Sequence, residues 1–180
     1  IPLAFYYQHA NQFLNEVGVK AAASKMILGQ ISEVLFLLLL PLFIKRYGIK
    51  NALIFGILAW GVRYMLFAFG DTGVKSWMLI FGILLHGVCY DFFFVSGQIY
   101  TDFKAGEKFK SAAQGLITLA TYGIGMLIGF RFAGWLTDQY ISDIGHLWKN
   151  IWIHPAIFSF VVLTLFLIFF KNETIKFKTL

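Results

Sequence analysis

Residues 86–98 read HGVCYDFFFVSGQ, and Asp91 stands there between Tyr90 and three consecutive phenylalanines. A second carboxylate, Glu33, is set in GQISEVLFLLLL, residues 29–40. Both acids fall near the middle of long apolar runs. Removing a carboxylate from water disfavours its charged form, so an acid in such a place can take up and release a proton near neutral pH. That property is what proton coupling requires. The structural alternative is an ion pair between neighbouring elements, with Arg63 as a partner for Asp91.

Neutral polar residues are spaced to join these acids. Gln30 and Glu33 are three apart, and Gln8, Asn11 and Asn15 repeat at steps of three and four, which puts each set on one helical face. Amides and acids in stripes can donate to and accept from a hydroxyl-rich ligand, or they can serve as interhelical glue. His86 and Tyr90, four apart, share a face just before Asp91; an aromatic beside hydrogen-bonding groups can stack on a planar ring. Cys89 and His86 lack an orienting acid and do not form a nucleophilic pair. No metal-ligand spacing, phosphate loop or catalytic signature occurs. The sequence therefore predicts no metal, no cofactor and no enzymatic activity.

The elements that must position these groups follow from composition. The chain has 180 residues, of which 59% are hydrophobic and 13% charged, and its mean hydropathy is +0.73. Soluble domains carry about 25% charged residues. A chain this poor in charge cannot cover a water-facing surface, so it reads as an all-α integral membrane protein. Five runs, 26–44, 51–69, 77–101, 111–136 and 151–170, are long enough to cross a hydrocarbon core, and residues 1–17 form a shorter, truncated sixth. An apolar segment is already under way at Ile1, which predicts a chain lacking its natural N-terminus.

Loop charge gives an orientation. Lys45, Arg46, Lys50, Lys104, Lys108, Lys110, Lys171, Lys176 and Lys178 follow the even-numbered spans, against Lys20, Lys25, Lys75 and Lys149 in the other loops. The richer set belongs in the cytoplasm, which puts the C-terminus there too. Basic residues dispersed over short loops do not make a nucleic-acid patch. Trp77, Trp148 and Trp152 fall at span edges and predict interfacial rings. Gly125 and Gly129 predict close helix packing. A charge at the bilayer centre costs about 2.5–3.5 kcal/mol. The four charges within spans, Glu33, Arg63, Asp91 and Arg131, therefore need partners or a purpose; Arg131, toward a helix end, reads as a structural charge that can snorkel.

Two stretches carry a family likeness. GQISEVLFLLLLPLFIKRYGIKNALIFGILAWGVRYMLFAFGD (29–71) and HGVCYDFFFVSGQIYTD (86–102) resemble the C-terminal half of the nucleoside:H⁺ symporters of the major facilitator superfamily. The resemblance implies the six-helix half of a twelve-helix transporter, helices seven to twelve, spanning residues 1–180, with the N-terminal half supplying the other wall of a midplane site. It implies a nucleoside and protons as the transported species, membrane lipid as the surroundings, and a bacterial inner membrane. On the family pattern Gln8, Asn11, Gln30, Glu33, Tyr90 and Asp91 line the nucleoside cavity, with His86 beside them. Asp91 or Glu33 carries the proton. His86 stands where the family has tyrosine, and Tyr90 where it has phenylalanine; both changes add polarity near the base. A carrier of another polar solute, such as a sugar, and a non-transporting scaffold or sensor are the competing expectations.

Overall fold

The computed structural model describes residues 1–143 and 145–171. Helices account for nearly all of them: α1 (Pro2–Glu16), α2 (Ala22–Tyr47), α3 (Ile49–Phe69), α4 (Ser76–Tyr90), α5 (Ser96–Thr118), α6 (Gly125–Gln139) and α7 (Trp148–Phe169). A two-stranded ribbon, β1 (Ile141–Ser142) with β2 (Gly145–His146), bridges α6 and α7. Lys176 and Lys178, two of the cations used for orientation, lie outside the described residues.

Segments α4 to α6 follow one another without a loop, but the helix breaks at Gly106 within α5. At Gly106 the backbone takes φ 66° and ψ 172°, left-handed space that a residue without a Cβ enters at no steric cost. The chain doubles back there. Gln114 donates to the Gln98 carbonyl at 2.9 Å, and Tyr122 donates to the Tyr90 hydroxyl at 2.7 Å. Both pairs are equidistant from Gly106, so residues 76–105 and 107–139 form two antiparallel rods. Each rod contains a π turn, Asp91–Val95 in the first and Leu119–Ile124 in the second.

Among the described residues, four helical stretches are long and apolar enough to cross a membrane: Ala22–Tyr47, Ile49–Phe69, the bent Ser76–Gln139 and Trp148–Phe169. At 15 residues, α1 is shorter than these. Helix α3 is the most enclosed and packs between α4 and α7, whereas α2 shows most of its leucines to the outside. Lipid is as apolar as leucine, so van der Waals fit and close approach hold such helices together.

Aromatic packing fills the end of the bundle where α1, α3 and α7 meet. Trp148 and Trp152 were expected at the interface, but both are buried. The Trp152 indole stacks on Tyr64 at 5.3 Å and 10° and meets Phe13 and Phe67 edge-on or tilted. The ring is buried because Phe13 of α1 and Tyr64 and Phe67 of α3 close around it at this three-helix junction. Trp152→Ala is expected to remove about 3–5 kcal/mol, the usual cost of emptying a large aromatic site. A drop in melting temperature of the detergent-solubilised full-length protein measures it.

Gly125 and Gly129 of α6 do not act as one surface. A Cβ on Gly129 would meet the Ala4 side chain of α1 at 2.6 Å, so this glycine does allow close helix packing. A Cβ on Gly125 would instead meet the Ala120 carbonyl oxygen of the adjoining π turn at 2.8 Å.

Candidate functional site

Glycine sets the contact on which the site is built. A Cβ on Gly87 of α4 would fall 2.5 Å from backbone atoms of Ser32 and Glu33 in α2, and one on Gly29 of α2 would fall 3.1 Å from the His86 Cβ. With nothing between them, the two backbones touch. Ser32 locks the register: its Oγ accepts from the Gly87 N–H at 3.1 Å and donates to the Gly29 carbonyl at 2.7 Å. Glu33 therefore emerges beside His86, with Oε2 3.6 Å from Nε2.

His86 is sandwiched. Its Nδ1 lies 3.1 Å from Nη1 of Arg63 on α3, and its ring stacks on Tyr6 of α1 at 5.0 Å. Arg63 is wholly buried, and its guanidinium sits 3.5 Å over the Tyr6 ring with Trp60 and Phe67 each at 5.6 Å. The structural pairing of Arg63 with Asp91 is not what forms. Arg63 meets α4 at the level of His86, and Asp91 lies five residues further on, roughly 7 Å along the helix axis at 1.5 Å per residue. Aromatic faces and one imidazole offset the desolvated cation instead.

Asp91 opens the first π turn and is 1% exposed. Its Oδ2 is buried and has no hydrogen-bond partner among the described residues, and no ion pair reaches it. Behind it the turn presses its backbone onto α3, where a Cβ on Gly56 would meet the Phe92 carbonyl carbon and the Phe93 nitrogen at 2.7 Å. Phe92 and Phe94 pack into different aromatic groups. Phe92 packs among Phe36, Phe43 and Phe55, and Phe94 packs between Tyr90 and Tyr122.

The structure also brings in two residues that the sequence pattern did not single out. Tyr122, in the second π turn, holds the Tyr90 hydroxyl. Tyr7 of α1 is 52% exposed and lies within electrostatic range of Tyr90, Glu33 and Tyr122, as Asp91 does of Glu33. The signal for Tyr7 was its place one residue before Gln8. Tyr122 had none, because its partner lies across the hairpin about Gly106.

Gln30, Gln8 and Asn11 are exposed on α2 and α1. Asn11 is tied to its own stripe by Asn15, whose Nδ2 donates to Asn11 Oδ1 at 3.0 Å, and to α2 by a 3.6 Å contact with the Met26 sulfur. Gln8 lies against α6, its Nε2 3.3 Å from where a Gly134 Cβ would be. Arg131 is elsewhere, exposed on α6 among Leu127, Ile128, Phe132 and Trp135. The polar cluster is thus a wall open on one side. An apolar cavity of about 310 Å³ behind the π turns, lined by residues including Trp60, Phe93 and Met126, shares none of the predicted polar residues. Among the described residues no group of three or more His, Cys, Asp or Glu side chains could hold a metal ion.

Comparison with known proteins matches residues 1–175 to the family described as nucleoside H⁺ symporter. The chain is 42% identical to the putative nucleoside transporter YegT of Escherichia coli K12, covering 96% of the chain and 43% of that protein. It is 32% identical to the nucleoside permease NupG of the same organism, covering 93% and 40%. A crystal structure of the nucleoside transporter NupG superposes with a TM-score of 0.86 at 31% identity, over 95% of this chain and 45% of that one. The chain thus spans less than half the length of the relatives it matches, and its fold is that of a major-facilitator-type membrane half. The match extends over nearly the whole sequence and the three-dimensional structure together, and the chain belongs to the nucleoside H⁺ symporter family.

Proposed function

We propose that this chain forms one wall of a proton-coupled nucleoside uptake site in a bacterial inner membrane, with its C-terminus cytoplasmic and a second six-helix half closing the open side. The observation that carries the reading is the open polar face itself. Gln30, Glu33, Tyr7 and Tyr90 stand on it, and one buried acid, Asp91, stands behind it without a counter-charge. Amide and carboxylate groups suit ribose hydroxyls and base edges, and Tyr90 suits stacking on the base. Gln8 and Asn11 extend the face along α1.

The coupling mechanism follows from the two acids. An ionised carboxylate with a buried, unpartnered oxygen is costly, and protonation removes that cost. A proton arriving from outside neutralises Asp91, the nucleoside binds, and both favour the inward-facing state, which is the differential affinity that coupling requires. The chain's role is binding and proton exchange, with no chemical change to the nucleoside.

Substrate class is tested by competition. Uptake of labelled uridine by the full-length transporter in proteoliposomes is expected to fall with excess unlabelled nucleoside and to be indifferent to sugars. Inhibition by sugars with none by nucleosides would replace the reading with that of a sugar carrier. A nucleoside-induced rise in melting temperature separates the nucleoside carrier from a non-transporting scaffold.

A further inference from the structure

The geometry points to Arg63 as a positioning residue that acts through His86: it fixes the imidazole as the Nε2–H tautomer, so that His86 turns a donor toward Glu33 and holds that carboxylate as the fixed acceptor of the polar face. The inference rests on the proposed nucleoside site and assigns work within it.

The tautomer follows from donor and acceptor inventory. A guanidinium has five N–H donors and no acceptor. At 3.1 Å from Arg63 Nη1, His86 Nδ1 must therefore accept, which leaves the ring proton on Nε2. A doubly protonated ring would set an N–H against an N–H of a cation, and the Nδ1–H tautomer would do the same. Nε2 is the nitrogen that faces Glu33 Oε2, 3.6 Å away. At that distance the N–H meets the carboxylate as an electrostatic contact short of a formed hydrogen bond. Arg63, fully buried, never reaches Glu33 in this arrangement; the imidazole relays its positive field to the half-buried acid.

The surroundings leave the ring little freedom. Tyr6 stacks on one face and Tyr90 lies tilted at 6.1 Å. Gly29 lets α2 press on the His86 Cβ. The charged and titratable groups facing His86 are Arg63 from α3, Glu33 from α2, Tyr6 from α1 and Tyr90 from its own helix. Only one of them is a cation, and it holds Nδ1. The two acids of the site are thereby given different electrostatic partners: Glu33 has a donor backed by a cation, and Asp91 has neither.

Two measurements on the full-length transporter test the relay. Nitrogen-15 NMR of histidine-labelled protein without nucleoside, with the His86 signal assigned by its loss in His86→Gln, is expected to show Nε2 protonated and Nδ1 bare. A protonated Nδ1 overturns the inference, whatever the substrate proves to be. The second is a double-mutant cycle on nucleoside affinity. His86→Gln keeps an acceptor for Arg63 and a donor for Glu33 and is expected to bind more tightly than His86→Phe, whereas His86→Phe and Arg63→Met each lose about tenfold, or ~1.4 kcal/mol. Combined, the two losses should not multiply, because Arg63 acts only through the ring. Multiplying losses, or equal binding by the Gln and Phe variants, overturns the relay. If Arg63→Met does not fold, the Gln and Phe comparison decides alone. Native protein that binds no nucleoside sinks the proposed function, and the NMR result still judges the tautomer.

Discussion

Asp91→Asn in the full-length transporter is expected to abolish accumulation of uridine against its gradient while leaving the protein folded and able to bind nucleoside. Asparagine is nearly isosteric with the protonated acid, so the variant is frozen in the state that the proton would otherwise create. The Oδ2 that has no partner in the native site becomes, in the variant, part of a neutral amide. Burial of a neutral group in that position costs far less than burial of an ion. Uphill uptake should fall at least about tenfold, the ratio carried by ~1.4 kcal/mol of lost state preference. What remains should be facilitated exchange that no longer responds to external pH. Glu33→Gln provides the contrast: its acid is aimed outward beside His86, and the loss there should appear in nucleoside affinity. The measurement is proteoliposome uptake with and without an imposed pH gradient. Normal accumulation by Asp91→Asn would remove Asp91 from the coupling step and leave Glu33 as the candidate.

The second large effect is steric. Gly87→Ala places a methyl group 2.5 Å from the backbone of Ser32 and Glu33, and backbone atoms cannot swing aside as a flexible side chain does. The helices α2 and α4 must separate, which breaks the Ser32 latch and withdraws Glu33 from His86. Overpacking of a tight core typically costs about 1–3 kcal/mol, and this contact belongs at the upper end or beyond. The expected result is a lowered melting temperature together with loss of uptake. Gly115→Ala is the control, since nothing lies within 4 Å of its added carbon. Equal behaviour of the two variants would mean that α2 and α4 do not touch backbone to backbone at Gly87.

The helical membrane fold was legible in the sequence because its signal is redundant. Long apolar runs, sparse charge and cationic loops all report the same solvent. The candidate site was legible in part. Acids in apolar runs announce themselves by cost, so Glu33 and Asp91 stood out, and helical spacing tied Gln30 to Glu33. Spacing within one helix says nothing of contacts between helices. Charge alone offers Arg63 as a structural alternative partner for Asp91, whereas its helix delivers it to His86. The place of Trp152 in its run predicts an interfacial ring, and its burial comes from Phe13 of α1 and Tyr64 and Phe67 of α3, contacts between helices that the run does not encode. Tyr122 was invisible because its partner lies across a hairpin whose pivot, Gly106, looks in sequence like any other of the chain's 17 glycines.

The π turns have a consequence in helical phase. A π turn closes its hydrogen bonds one residue later than an α turn, so each acts as a one-residue insertion within an otherwise regular rod. One residue is about 100° of rotation at 3.6 residues per turn. The stretch Asp91–Val95 therefore sets the azimuth of everything after it relative to His86 and Gly87 before it. Loss of a single residue there would restore a regular helix and turn Gln98 and Asp102 by that angle away from Gln114, which holds both across the hairpin. The length of DFFFV is thus as much a part of the site as its acid, and a chain one residue shorter would keep every helix while losing the alignment between the two halves of this rod.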